Sequence, residues 1–221
     1  MAELLDCIEI QTAPDPSSSV IWMHGLGADG NDFVPIVGEL ELPSTPIRFV
    51  FPHAPMQAVT INNGYVMRAW YDVLSSDFAR RTDAEGVRAS QALIEALIAR
   101  ERARGIDASR IVLAGFSQGG AMALHTGLCH QERLAGVMVL SSYVPIPDAL
   151  PTEAHASNRD VPIFMAHGRS DPIIPLSAAV QSRDLLLRLN YAVEWHDYDM
   201  PHSVNMEELD HIGAWLRKVL K

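Results

Sequence analysis

Five short, near-continuously apolar runs recur along the chain: SVIWMH (19–24), IRFVFP (47–52), RIVLAGF (110–116), AGVMVLSS (135–142) and VPIFMAHG (161–168). Apolar residues at consecutive positions fit strands covered on both faces, which is the condition of a parallel sheet. AVEWHDY (192–198) reads as a sixth strand, and LDCIEIQT near the start as an antiparallel edge. Helical patterns separate the runs. In the segment 83–105, Val87, Ile94, Leu97 and Ile98 recur at helical spacing and Gly105 closes the pattern as a C-terminal cap. SQGGAMALHTGLCH, SAAVQSRDLLLRLN and NMEELDHIGAWLRKVLK follow later runs. This alternation predicts an α/β fold: a doubly wound, mostly parallel sheet with helices on both faces. The 221 residues, 48% of them hydrophobic, suit one domain over 1–221 with a core on each side of the sheet.

Two segments break the alternation. Residues 53–82 form a long connection containing NNGYVMRAWYDV, and residues 143–160, YVPIPDALPTEAHASNRD, are rich in proline and polar residues. Connections of this length are usually functional or disordered. In an open α/β sheet the ligand site lies beyond the carboxyl ends of the strands, where the second segment begins. Both are short beside a true cap domain, so no large lid is expected. The cleft should be shallow and open to water.

The formal charge of −10, with no cluster of Lys or Arg, argues against nucleic acid and against docking to anionic lipid. The first residues lack a basic and then apolar signal pattern, and no stretch is long and apolar enough to span a bilayer, which excludes stable membrane insertion. Cys7 and Cys129 are too few and too far apart for a disulfide framework or a cysteine-based zinc site. A reducing cytoplasm is the expected compartment. The oligomeric state is not set by these features, and a homodimer is compatible with them.

The chemistry starts at GFSQGG (115–120). Its G-x-S-x-G pattern is weak alone, but it demands a strand before and a helix after, and both are predicted here. Small residues at 115 and 119 let backbones approach a strained turn that displays Ser117. A serine hydroxyl needs a base, and the base needs an orienting third group. Among nine histidines, His202, in YDMPHS after the last strand, stands where the base is expected. His125 and His130 fall on the helix after the serine and His211 on the last helix, where packing or surface roles suit them better; His167 ends a strand, where its ring can line the cleft without reacting, and His24 and His53 follow strands and are weaker rivals. The acid is read as Asp171 in HGRSDPIIP, which runs off a strand into a loop, with Asp197 and Asp199 closer to His202 in sequence. An oxyanion hole needs two N–H donors; Gln118, after the nucleophile, and Leu26, in HGLGADG (24–30), are the candidates. That second stretch lacks the spacing of a phosphate-binding loop.

The pieces HGLGADG, FPHAP, MRAWYD, GFSQGG, HGRSDPIIP and MPHS span nearly the whole chain. Together they resemble the α/β-hydrolase carboxylesterases of the acyl-protein thioesterase and lysophospholipase type, with RAWYD closer to the bacterial carboxylesterases. The resemblance implies Ser117 as nucleophile, Asp171 as acid, His202 as base, and Leu26 and Gln118 as oxyanion donors. It implies cleavage of ester or thioester bonds through an acyl-enzyme, with no metal or organic cofactor, and the shallow, open cleft suits short to medium acyl chains. Met67, Trp70 and Tyr71 are candidates for an apolar acyl wall, and burial in the core is the alternative for the two aromatics. The other readings are a lysophospholipase or acyl-protein thioesterase acting on longer chains, a peptidase or dienelactone hydrolase on the same fold, and a non-catalytic binding module.

Overall fold

The computed structural model describes residues 4–75 and 82–221. In chain order the elements are β1 (Cys7–Gln11), β2 (Ser18–Met23), β3 (Ile47–Pro52), β4 (Met56–Val59), β5 (Tyr65–Arg68), α1 (Ala84–Ala103), β6 (Ile111–Phe116), α2 (Gln118–Cys129), β7 (Gly136–Leu140), α3 (Leu150–Glu153), β8 (Ile163–Gly168), α4 (Leu176–Arg188), β9 (Val193–Tyr198) and α5 (Met206–Val219). Seven strands form one sheet in the order β1-β3-β2-β6-β7-β8-β9. β1 pairs antiparallel with β3, and every other pair in that sheet is parallel. Each apolar run of the sequence is a strand, and LDCIEIQT supplies the antiparallel edge.

Period-two alternation splits the core between the two faces. Ile21, Met23, Val137, Val139, Ile163 and Met165 face a layer with Val87, Ile94 and Leu97 of α1, Met122 and Leu124 of α2, and Leu186 of α4. Val20, Trp22, Met138, Leu140 and Phe164 face the other side, against Leu209, Ile212, Trp215 and Leu216 of α5. β2, β7 and β8 are buried at every residue. That explains why they carry no polar alternation.

Local signals fix the helix ends. The Asp83 side chain caps α1 by accepting from the Gly86 N–H at 2.9 Å. The helix stops at Arg104, and Gly105 then takes φ +90°, a left-handed conformation that glycine adopts without strain. Asn205 caps α5 by accepting from the Glu208 N–H at 2.9 Å, with Glu207 and Glu208 in the first turn and Arg217 and Lys218 in the last, both matched to the helix dipole. Glu208 itself is fully buried, and burial pushes its carboxyl up to about 8 against a smaller pull from the Asn205 N–H.

The two irregular segments lie at the carboxyl end of the sheet. The first folds partly into an antiparallel hairpin, β4 with β5, and the second carries the single turn α3. Residues 76–81 of the first segment lie outside the described residues. Among the described residues, neither segment builds a large lid.

Candidate active site

The chain order β2, β3 and then β6 reverses direction across the sheet, so β2 and β6 are neighbours whose exits lead to opposite sides. Such a switch point leaves a crevice at the strand ends. The loop after β2 and the turn after β6 meet there. A Cβ added at Gly25 would stand 3.3 Å from the Ser117 Cβ, which places the HGLG loop against the serine.

Ser117 adopts φ 54° and ψ −121°, between the end of β6 and the start of α2. A non-glycine residue at positive φ is strained and persists only where its surroundings hold it. Here the Ser117 N–H donates to the Leu140 carbonyl at 2.8 Å, and its own carbonyl accepts from the Ser142 hydroxyl at 2.6 Å and the Ala121 N–H at 3.2 Å. The turn also needs bare backbone on both sides. A Cβ at Gly115 would collide with the Gly119 backbone, and one at Gly119 with the Met23 carbonyl. The glycines of G-x-S-x-G are therefore contact residues between β6, α2 and β2.

His202 follows β9, and its Nδ1 lies 2.6 Å from Asp171 Oδ2. The other carboxylate oxygen, Oδ1, accepts from the N–H groups of Ile173 and Ile174 at 2.8 and 2.9 Å. The loop thereby fixes the carboxylate so that one oxygen is left for the imidazole. The ring of Phe116 packs on that of His202, with centroids 4.7 Å apart, which holds the imidazole beside the serine turn. Asp197 is instead engaged by Trp195 and Arg169, whose bonds lower its pKa, and Asp199 is exposed.

The rival histidines have other duties. His24 is buried, donates from Nδ1 to the Gly25 carbonyl at 2.7 Å and accepts the Ala54 N–H on Nε2 at 3.0 Å; burial lowers its pKa. His53 Nδ1 accepts from the Gly30 N–H. His167 has no exposed surface. Its Nε2–H donates to the Ile174 carbonyl at 2.8 Å and sits 3.5 Å from Asp171 Oδ2, so it braces the acid loop from behind rather than lining the cleft. His125 on α2 and His130 at its C-terminal cap are buried, facing Gln91 and Glu95 of α1, and His211 pairs with the Tyr198 hydroxyl.

A cavity of about 260 Å³ opens at the serine, lined by Leu26, Ile61, Val73, Ser117, Gln118 and Tyr143, together with Asn62, Ile173 and Ile174. Leu26 and Gln118 thus flank Ser117. Gln118 is the first residue of α2, so its N–H has no partner within the helix. The neighbouring Gly27 N–H is taken by the Arg68 carbonyl at 2.9 Å. The Gln118 side chain faces the other way, accepting from the Trp70 N–H at 2.8 Å and donating to the Tyr71 carbonyl at 2.7 Å.

Of the three residues expected in an acyl wall, Met67 is half-buried and packs with Leu26 and Val73 beside the cavity. Trp70 and Tyr71 are core residues. The indole of Trp70 donates to the His24 carbonyl at 2.9 Å, and the Tyr71 hydroxyl meets that of Tyr143 at 2.8 Å. Neither touches the cavity, so their part is to hold Gln118 and Tyr143 in place. The wall itself includes Tyr143, Ile173 and Ile174, which sequence reasoning passed over. The signal for the last two was their position directly after Asp171.

A mostly parallel sheet with a strand–serine–helix elbow at its switch point and an Asp–His pair beyond later strands defines an α/β-hydrolase. Residues 5–220 match the phospholipase/carboxylesterase family, and the chain belongs to it. It is 37% identical over 211 residues to the acyl-protein thioesterase 1 of Yarrowia lipolytica, covering 93% of each chain. Among solved structures it is similar to Arabidopsis thaliana SOBER1, at 30% identity and a TM-score of 0.87 over 92% of this chain and 99% of that one. Zea mays acyl-protein thioesterase 2 follows at 26% identity and a TM-score of 0.85, over 97% and 99%. No helix among the described residues is long and apolar enough to cross a membrane.

Proposed function

We propose that the chain is a single-domain serine hydrolase of carboxylic esters and thioesters, with Ser117, His202 and Asp171 as its catalytic triad. The observation that carries the reading is the 2.6 Å contact between His202 Nδ1 and Asp171 Oδ2 beyond the strained Ser117 elbow. Asp171 holds the ring in the tautomer that leaves Nε2 free to accept a proton. His202 takes the Ser117 proton as Oγ attacks the acyl carbonyl, and the N–H groups of Leu26 and Gln118 receive the developing oxyanion. The second donor sits at the amino end of α2, where the helix dipole adds positive potential. His202 then protonates the departing alcohol or thiol. A water attacks the acyl-serine by the same route and releases the acid, with no step that requires a metal or organic cofactor.

The cavity suits a medium acyl chain. At about 30 Å³ per water-sized group, 260 Å³ holds roughly nine such groups. Ile61 and Ile173 at its rim are exposed, so the mouth is wet. The names of the relatives favour thioesters as well as oxygen esters, and acyl-protein thioesterase or lysophospholipase action on longer chains is the second reading. A cytoplasmic location suits a small water-soluble acyl donor.

The test is active-site labelling with a fluorophosphonate. The wild-type protein should be labelled at Ser117 with loss of ester hydrolysis. The Ser117→Ala variant should fold normally, resist labelling and lose several powers of ten in rate. A variant keeping a tenth of wild-type turnover would sink the assignment.

A further inference from the structure

At the far end of α2 from the serine, His125 and Cys129 stand one turn apart on the same helix face, and Glu153 of α3 closes on them. The three ligand atoms lie within 4.8 Å of one another. His125 Nε2 is 4.0 Å from Glu153 Oε2 and 3.0 Å from the side-chain carbonyl oxygen of Gln91 on α1. We propose that His125, Cys129 and Glu153, with Gln91 Oε1 as fourth donor, form a site for a zinc-class divalent cation that ties α2 to α1 and α3.

The distances support this. Bonds of about 2.0–2.1 Å to nitrogen and oxygen and about 2.3 Å to sulfur put the donors of a tetrahedral zinc site roughly 3.3–3.6 Å apart. The His125–Gln91 and His125–Glu153 separations of 3.0 and 4.0 Å bracket that range, so side-chain adjustments of about 1 Å bring the clustered ligand atoms to bonding distance of one cation. The thiolate and the imidazole select zinc over magnesium or calcium, and a carboxylate is a regular companion ligand of zinc. Their two negative charges, once the thiol is ionised, match the cation.

The surroundings supply the rest of a built site. Arg88 binds Glu153 Oε1 at 2.6 Å, which leaves Oε2 turned toward His125 and orients the carboxylate from outside. Access is through a surface cavity of about 660 Å³ that Gln91 and Cys129 both line. On binding, the cation displaces the thiol proton to solvent, and the ring proton moves to Nδ1. Too few cysteines excludes a cysteine-only site, but not a mixed one assembled from separate helices. Because α3 lies on the segment that begins at Tyr143, the cation would stiffen the connection behind the acyl cavity without touching the triad.

The experiment titrates the full chain with cobalt(II) chloride and follows the near-ultraviolet thiolate-to-cobalt charge-transfer band. One equivalent should bind. The band should vanish in Cys129→Ser, persist in Cys7→Ser, and require at least about 100-fold more cobalt in His125→Ala. Glu153→Gln, a partly exposed position, should weaken binding at least about tenfold and gives an independent reading should His125→Ala fold poorly. Wild-type ester hydrolysis by Cys129→Ser confirms that its fold is intact. Absence of the band, its survival in Cys129→Ser, its loss in Cys7→Ser, or unchanged affinity in Glu153→Gln would each overturn the site.

Discussion

Replacing Asp171 by Asn tests the triad at its most constrained point. The carboxylate sits in a loop that dictates how an amide must lie. Ile173 and Ile174 both donate to Oδ1, so the amide oxygen of an asparagine has to occupy that place. Its NH2 group is then forced toward His202 Nδ1, at the position where Oδ2 now lies 2.6 Å away. An NH2 donor requires Nδ1 to accept, which moves the ring proton to Nε2 and removes the base that Ser117 needs. The expected loss in kcat is about 10⁴-fold, equivalent to about 5.5 kcal/mol of transition-state stabilisation. The two backbone bonds survive the change, so thermal unfolding should move little. The assay is steady-state hydrolysis of a short acyl ester beside a thermal melt, with Asp199→Asn as control. A loss below about tenfold with a normal melt would refute the reasoning, and so would a larger loss in Asp199→Asn.

The 260 Å³ cavity predicts that kcat/KM rises with acyl length over the first several carbons, each buried methylene adding about 0.8 kcal/mol, and then levels off or falls. A rate series from two to sixteen carbons, below and above micelle formation, checks this; a steady rise to the longest chain or a jump at micelle formation contradicts it. Glu208 predicts a pH effect on stability. Its folded pKa of about 8 lies above the unfolded value of 4.5, so the folded state holds a proton that the unfolded chain releases. The contribution is fully present below pH 4.5, declines as pH rises to about 8 and is constant above, with an upper bound of about 5 kcal/mol. Urea midpoints at mildly acid and mildly alkaline pH should show this decline in the wild type and much less of it in Glu208→Gln.

What the sequence determined by itself is what local physics encodes. Runs such as SVIWMH and VPIFMAHG announce strands because a strand buried on both faces has no polar position to show. GFSQGG announces the elbow because Gly115 answers a steric demand a few residues away, from the Gly119 backbone. His202 and Asp171 were legible as residues placed just past strand ends, where an open sheet puts its chemistry.

The tertiary structure alone decided which side chains line the cavity. Trp70 and Tyr71 lie beside an exposed hairpin in sequence, yet the Gln118 side chain, 48 and 47 residues away, draws their backbone into the core. Tyr143 reached the cavity wall through its bond to Tyr71, across 72 residues. The meeting of His125, Cys129 and Glu153 depends in the same way on how α3 packs against α2. Such contacts join segments far apart in the chain, and neither hydrophobic period nor turn chemistry carries information over that distance. Only packing the helices onto the sheet brings them together.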